Sequence, residues 1–292
     1  MGVEVRPLTV EDRSRVLEIS SQIWDGDDWV PDALDSWFGT EEGEAVAAIL
    51  DGRLIGFARR AWILPGHAWF EALRSDPAAR GCGAGRAITE HLIDGARRDG
   101  AEAIHLSTYA DNEASIHIIE SYGFCRVASF AYVEKDVPED ASAAPNDPGI
   151  VDVPENDVIG FVDRSAFLSL AKRRFPRGWK FIPFDLDPRE STARLGTRIG
   201  IRDGGKLAAL LCLRGLAGGS GSTVLNFADG SPHELRRLLR GAHRLFAGRR
   251  IAVMVPVDGH REAAVFPILR EFEYASWDDY TAAVFVYQLD LD

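Results

Sequence analysis

The segment 69–96 narrows the possible folds more than any other. Trp69-Phe70-Glu71-Ala72-Leu73 is an apolar run of strand length. Asp76-Pro77 ends it, because proline removes a ladder donor and favours a turn. Gly81, Gly83 and Gly85 follow in alternation, and Ile88, Leu92, Ile93 and Ala96 then recur at helical spacing. The order is strand, glycine-rich turn, helix. Such a turn exposes consecutive backbone N–H groups at a helix N-terminus, where the dipole also favours negative charge. Arg80 and Arg86 flank it with fixed positive charge. The unit reads as a phosphate cradle. The bland alternative is a glycine turn that only opens a core helix.

Three phosphate motifs compete for the turn. A Walker loop ends in Gly-Lys-Ser/Thr, which is missing here. A dinucleotide fingerprint starting at Gly81 needs a small residue at 86, where Arg86 stands. The third is Arg80-x-x-Gly83-x-Gly85, which resembles the Gln/Arg-x-x-Gly-x-Gly/Ala pyrophosphate motif of the GNAT family of N-acetyltransferases. Downstream, Asn112-x-x-Ser115-Ile116, ending in Tyr122-Gly123-Phe124, is similar to that family's Asn-x-x-Ala-Ile…Gly-Phe segment. A plain glycine turn does not explain this second match. The two motifs cover about 66–133. The resemblance implies an α/β fold with a mixed sheet and acetyl-CoA as co-substrate, with no metal.

Composition bounds the rest. A chain of 292 residues allows one or two domains, and 46% hydrophobic with 27% charged residues is ordinary for a globular protein. The net charge of -12 argues against nucleic acid as partner, since phosphate backbones need a basic surface. It suits a cationic amine substrate, and equally a merely acidic surface. Cys82, Cys125 and Cys212 are odd in number and widely spaced, so neither a disulfide framework nor a metal set is expected. A reducing cytoplasm follows as the expected location. No apolar signal core follows Met1 and no run of about 18 apolar residues occurs, so no membrane association is expected. Whether the chain is a monomer or a homodimer is open.

Along the chain, strands are expected at 3–7, 45–50, 54–60 and 67–73, with Asp51-Gly52 as a hairpin signal. Two helices precede 45, the first capped by Thr9 and the second carrying Leu34, Trp37 and Phe38. A strand at 104–108, a short helix at 113–122 stopped by Gly123, and a strand at 124–134 complete the first copy. Pro138, Pro145, Pro148 and Pro154 lie among acidic and small residues, so 137–157 reads as a linker. Beyond it the pattern repeats: a helix at 159–170, a hairpin around Asp203-Gly204-Gly205, a strand at 223–227, a helix from 232, a strand at 251–257, a helix near 265–269 and a closing strand at 281–289. At the turn, however, stands Ser231-Pro232-His233-Glu234, a capping box with proline at N1. Its side chains satisfy the donors that would hold pyrophosphate. The expected organisation is a GNAT domain at 1–136, a linker at 137–157, and at 158–292 a degenerate GNAT-like domain that binds no acetyl-CoA. An unrelated α+β lid or dimerisation domain is the alternative.

The resemblance also assigns roles. Backbone at Leu73, Arg74 and Ser75 pairs with the pantetheine arm, and a β-bulge N–H there polarises the thioester carbonyl. Arg80, Gly81, Cys82, Gly83, Ala84, Gly85 and Arg86 hold the pyrophosphate, and Asn112 with Ser115 contacts the cofactor. Transfer is direct, so Cys82 is no nucleophile. Glu71 is expected on the face of Leu73, either as general base or as a group that orients substrate; Asp27, Asp28 and His67 are weaker bases. The family's tyrosine acid has Ile119 in its place, leaving Tyr122, His117 or unassisted thiolate departure. Asp27, Asp28 and Trp29, before Pro31 and Trp37, resemble a segment of histidine N-acetyltransferases, and 70–74 resembles their Glu-Gly-Leu-Arg strand. That implies an α-amino acid or small primary amine as acceptor; a solvated turn between core aromatics is the bland reading. Protein or peptide acetylation, an aminoglycoside-type acceptor and a non-catalytic acyl-CoA sensor remain alternatives.

Overall fold

The computed structural model describes residues 2–39, 43–193, 195–215, 222–259, 261–276, 279 and 281–291. Two compact units are distinguished by their internal contacts. The first comprises Met1–Thr108, Asn112–Cys125 and Tyr287–Asp292, and the second Tyr109–Asp111 and Arg126–Val286.

In the first unit, β1 (Glu4–Pro7), β2 (Gly43–Leu50), β3 (Arg53–Leu64) and β4 (His67–Ser75) form an antiparallel run in sequence order. The β2–β3 turn places Asp51 at φ 50° and Gly52 at φ 79°, both in the left-handed region that a tight hairpin requires. Helix α1 (Arg13–Ser20) and the short α2 (Val30–Ala33) lie over one face. There Val16, Ile19, Val30 and Leu34 pack with Ala47, Phe57 and Ala72. The second expected helix thus shortens to α2 followed by a 3₁₀ turn, Leu34–Trp37. Helix α3 (Ala84–Arg98) buries Ile88, Leu92, Ile93 and Ala96, the four residues that its spacing predicts. Burial of each of the three larger side chains contributes about 2 kcal/mol. Then come β5 (Ala103–Tyr109), parallel to β4, and α4 (Glu113–Ser121), stopped by Gly123 at φ 89°.

The second unit repeats this order. Strand β6 (Cys125–Asp136) leads through the small β7 (Ile150–Asp152) to α5 (Glu155–Asp163), α6 (Ala166–Leu170), the hairpin β8 (Arg174–Arg177) and β9 (Lys180–Pro183), and α7 (Pro188–Ala193). Next are β10 (Thr197–Asp203), β11 (Lys206–Gly215), β12 (Ser222–Asp229), α8 (Pro232–Leu245), β13 (Arg250–Asp258), the two-residue β14 (Arg261–Glu262), α9 (Val265–Glu271) and the two-residue β15 (Ala275–Ser276). Strand β16 (Val284–Asp290) closes the chain, its residues shared between the units. Strand order within the second unit is β7, β10, β11, β12, β13, β6, with β12 and β13 parallel. Helix α8 lies between the parallel strands in sequence, as α3 does between β4 and β5.

The expected linker differs most from the structure. Residues 137–157 contain β7, which pairs with β10, and Val137 and Val153 are core residues at 3% exposure. Prolines set the path of this segment without keeping it from packing, because Val137 and Val153 reach the core of the second unit. The contact division accordingly falls at Cys125/Arg126, and Tyr287–Asp292 return to the first unit. The helix expected at 159–170 is two helices, broken where the Ser165 side chain accepts the Leu168 N–H at 3.0 Å.

Candidate active site

Strands β4 and β5 pair in parallel from His67↔Ala103 to Phe70↔Leu106, and there the ladder ends. Beyond that point β4 keeps its bonds to β3, and along Ala72–Ser75 no ladder pair to β5 continues among the described residues. Arg59 pairs with Glu71 and Phe57 with Arg74, so Ala72 and Leu73 together oppose Ala58. This is a β-bulge, and Ala72 at φ 58° carries its strain. The bulge corrects one expectation. Arg59 and Phe57 are two apart on β3 and share a face, so their partners Glu71 and Arg74 share it too. Unbroken alternation would have put Glu71 with Leu73.

The glycine turn follows. Gly81 sits at φ 79° and Gly83 at φ 88°, and a Cβ built on either would meet nothing within 4 Å. Helix α3 starts at Ala84 with no side-chain cap, so its first N–H groups lack intrahelical acceptors. Gly85 serves differently: a Cβ there would come 3.1 Å from Ile118 Cδ1, so it sets the approach of α4 to α3. Arg80, Cys82 and Arg86 are exposed. Buried Asp76 braces the turn from below. It accepts the Ala78 N–H at 2.8 Å and pairs with Arg15 of α1 and Arg53 of β3. Burial opposes its charge, but the Ala78 N–H and Arg15 together hold the carboxyl below the usual range. A cradle of this shape, lined by main-chain donors and two guanidinium groups, fits the diphosphate of acetyl-CoA.

On the α1–α2 face, one chain of contacts links the remaining groups. Glu71 pairs with Arg59 at 2.7 Å, both nearly buried. The Arg59 guanidinium lies 5.9 Å from the Trp37 ring centre, and Trp37 meets Trp29 edge-on at 6.0 Å. Next to Trp29, Asp28 receives Arg74 through two bonds, 2.9 and 3.2 Å. Arg74 in turn stacks over Trp24 at 4.5 Å. Trp24 and Trp29 are 46% and 43% exposed, so two indole surfaces face solvent beside two neutralised ion pairs.

Some expected residues are placed otherwise. The Asp28 side chain is fully buried on Arg74, so it offers no carboxylate to an ammonium. The Arg74 side chain is likewise spent on Asp28 and Trp24. Asp27 is exposed and outside these pairs. His67 stands four residues before Glu71, roughly 13 Å along the strand. It contacts His105 at 3.0 Å, and burial lowers its pKa. The Tyr122 hydroxyl donates to the Arg86 carbonyl at 3.3 Å, and exposed His117 lies 3.4 Å from the Arg86 guanidinium. Both are tied to α3, not to β4. Asn112 caps α4 by accepting the Ser115 N–H at 3.2 Å. Arg59, Trp24 and Asp76 were not expected; the only signal for Arg59 is a pair of arginines inside the otherwise apolar β3. Among the described residues, no His/Cys/Asp/Glu group could hold a metal and no helix is long and apolar enough to cross a membrane.

Among the described residues, the corresponding place in the second unit is built differently. Its parallel ladder also ends early, at Leu225↔Val253, and Asn226 bulges from β12. But Ser231 caps α8 by accepting the Glu234 N–H at 3.4 Å, and Asn226 accepts the Gly178 N–H of the β8–β9 turn at 3.4 Å.

Comparison with known proteins agrees with this geometry. The profile of the acetyltransferase (GNAT) family matches residues 13–124. N-alpha-acetyltransferase RimI of Mycobacterium tuberculosis is 32% identical over 129 residues, covering 43% of this chain and 80% of that protein. A GCN5-related N-acetyltransferase from Sphaerobacter thermophilus superposes over 99% of this chain and 95% of its own at TM-score 0.61 and 15% identity. A glucosamine N-acetyltransferase region within a fungal multi-domain β-N-acetylglucosaminidase does so over 98% of this chain and 38% of its own, at TM-score 0.60 and 15% identity. The strand opening, bulge and uncapped glycine turn all lie within the stretch that the family profile matches, and with a relative of 32% identity covered over 80% of its length, the chain belongs to the acetyltransferase (GNAT) family.

Proposed function

We propose that the first unit transfers the acetyl group of acetyl-CoA directly to the primary amine of a small molecule or amino acid. One observation carries the reading: the free edge of β4 at the Ala72 bulge lies one short turn from the uncapped start of α3. The Gly81–Gly83 main chain, with Arg80 and Arg86, binds the diphosphate. The β4 edge at Leu73–Ser75 orients the pantetheine, and a bulge N–H faces the thioester oxygen. Acetyl-CoA supplies the activated acyl group. Glu71, oriented by Arg59, accepts the ammonium proton directly or through water; the freed amine forms the new N–C bond as the C–S bond breaks, and the nitrogen's remaining extra proton passes to solvent, leaving the neutral amide. Tyr122 and His117 are held at α3, so the thiolate departs without a dedicated acid and is protonated by solvent. Trp24 and Trp29 supply the apolar and cation–π surface for the acceptor. The second unit is a degenerate copy that binds no acetyl-CoA, its helix start being filled by Ser231.

A second reading has its own support. The relative at 32% identity is named an N-alpha-acetyltransferase, which favours the α-amine of a polypeptide. Acetyl-CoA-dependent thiol release on a panel of free amines, amino acids and short peptides decides. Turnover of free amines supports the first reading, and turnover of peptides alone replaces it with the second. Binding of acetyl-CoA with no turnover on any member overturns both in favour of a sensor.

A further inference from the structure

The second unit contains a cavity of about 250 Å³ that the transfer reaction does not use. One wall is the face of α8 that carries Arg237, Arg240, Gly241 and Arg244, and the other is 145–152 with Ile199 of β10. Arg237 is committed. It meets Asp147 through two bonds of 2.7 and 2.8 Å, and Asp147 also accepts the Gly149 N–H at 2.8 Å. With Arg237 first among the causes, Asp147 is pulled down to about 2 and stays anionic. Arg240 and Arg244 enter none of the ion pairs recorded among the described residues, and the buried Nε of Arg244 has no hydrogen-bond partner there. They are four residues apart on one helix and so lie one above the other. Asp152 is the second carboxylate of the lining, which leaves three guanidinium groups against two carboxylates. A positive cavity in a chain of net charge -12 is out of keeping with its surroundings. Its remaining lining is apolar: Ile150, Val151, Ile199 and Leu245.

We propose that this cavity binds a small amphipathic organic anion, its oxyanion head held by Arg240 and Arg244 and its short apolar tail lying on Ile150, Ile199 and Leu245. Guanidinium forks match carboxylate and phosphate oxygens bidentately. By the liquid volume of water, the space equals about eight water molecules, so the ligand has roughly eight to ten non-hydrogen atoms.

The full chain, saturated with acetyl-CoA so that the glycine turn is filled, is titrated calorimetrically with butyl phosphate, hexanoate and hexylammonium. Binding of butyl phosphate or hexanoate, with none of hexylammonium, is expected; which of the two binds more tightly identifies the head group. The double variant Arg240→Ala/Arg244→Ala weakens that binding tenfold or more. Leu245→Asp keeps both arginines, places a negative charge at the rim, and weakens it similarly. Three results overturn the proposal: no heat from either anion up to about 10 mM, a range that reaches the weakest specific affinities; equal binding of hexylammonium; or unchanged affinity in the double variant.

Discussion

Glu71 is the proposed base, and its neighbours define what a substitution tests. Glu71→Gln keeps the shape and a hydrogen bond to Arg59 but cannot take a proton. Steady-state kinetics should show kcat lowered by about 10²-fold, with KM for acetyl-CoA unchanged. Tyr122→Phe removes only the bond to the Arg86 carbonyl, so kcat should stay within about twofold, whereas a dedicated acid would cost about 10²-fold or more. Asp28→Ala leaves Arg74 nearly buried and unpaired, and chemical denaturation should show a loss of about 3 kcal/mol. These roles were legible to different degrees. Glu71 could be proposed from the sequence because the family it resembles uses a glutamate on the corresponding strand. The burial of Asp28 could not, because its partner Arg74 is distant in sequence and reaches it only once the bulge has turned that residue to the same face.

Elements with strong local signals were readable, and those made by tertiary pairing were not. Helix α3 announced itself by its apolar spacing, and the β2–β3 hairpin by Asp51-Gly52. The β8–β9 hairpin did not, because its strands are four residues long and each contains a proline. The bulge at Ala72 was equally silent: an alanine in the left-handed region carries no residue-type signal, unlike a glycine. The turn separates two uses of glycine that look identical in sequence. Gly83→Val forces a branched side chain into φ 88°, so KM for acetyl-CoA should rise at least tenfold in initial-rate measurements. Gly85→Ala instead presses on Ile118 and should appear mainly as a lower melting temperature.

For the whole molecule, the mixed α/β class and the repeat were legible, because the order of strands, helices and hairpins recurs after 137. The boundary was not, since composition alone cannot show that Val137 and Val153 find a core. The second unit also makes stability depend on pH. His243 bonds to Tyr274 at 2.9 Å, and burial, then Lys135, pushes its pKa down to about 4. Its folded value lies below its unfolded one, near 6.5, so the unfolded chain binds more protons between the two. The contribution is complete above about pH 6.5 and is lost as pH falls toward 4, at most on the order of 3 kcal/mol and less where solvent reaches the partly exposed ring. Urea midpoints should drop across that range, and less steeply in His243→Gln.

Residues 287–291 belong to the first unit although nearly the entire second unit is made before them. During synthesis, then, residues through 291 must emerge before the first unit can close its own contacts: Tyr287 to Glu120 at 2.9 Å, and the Leu291 N–H to the Glu102 carbonyl at 2.8 Å. Coenzyme binding by nascent chains stalled at increasing lengths would rise late, after the arginine-lined half has already formed.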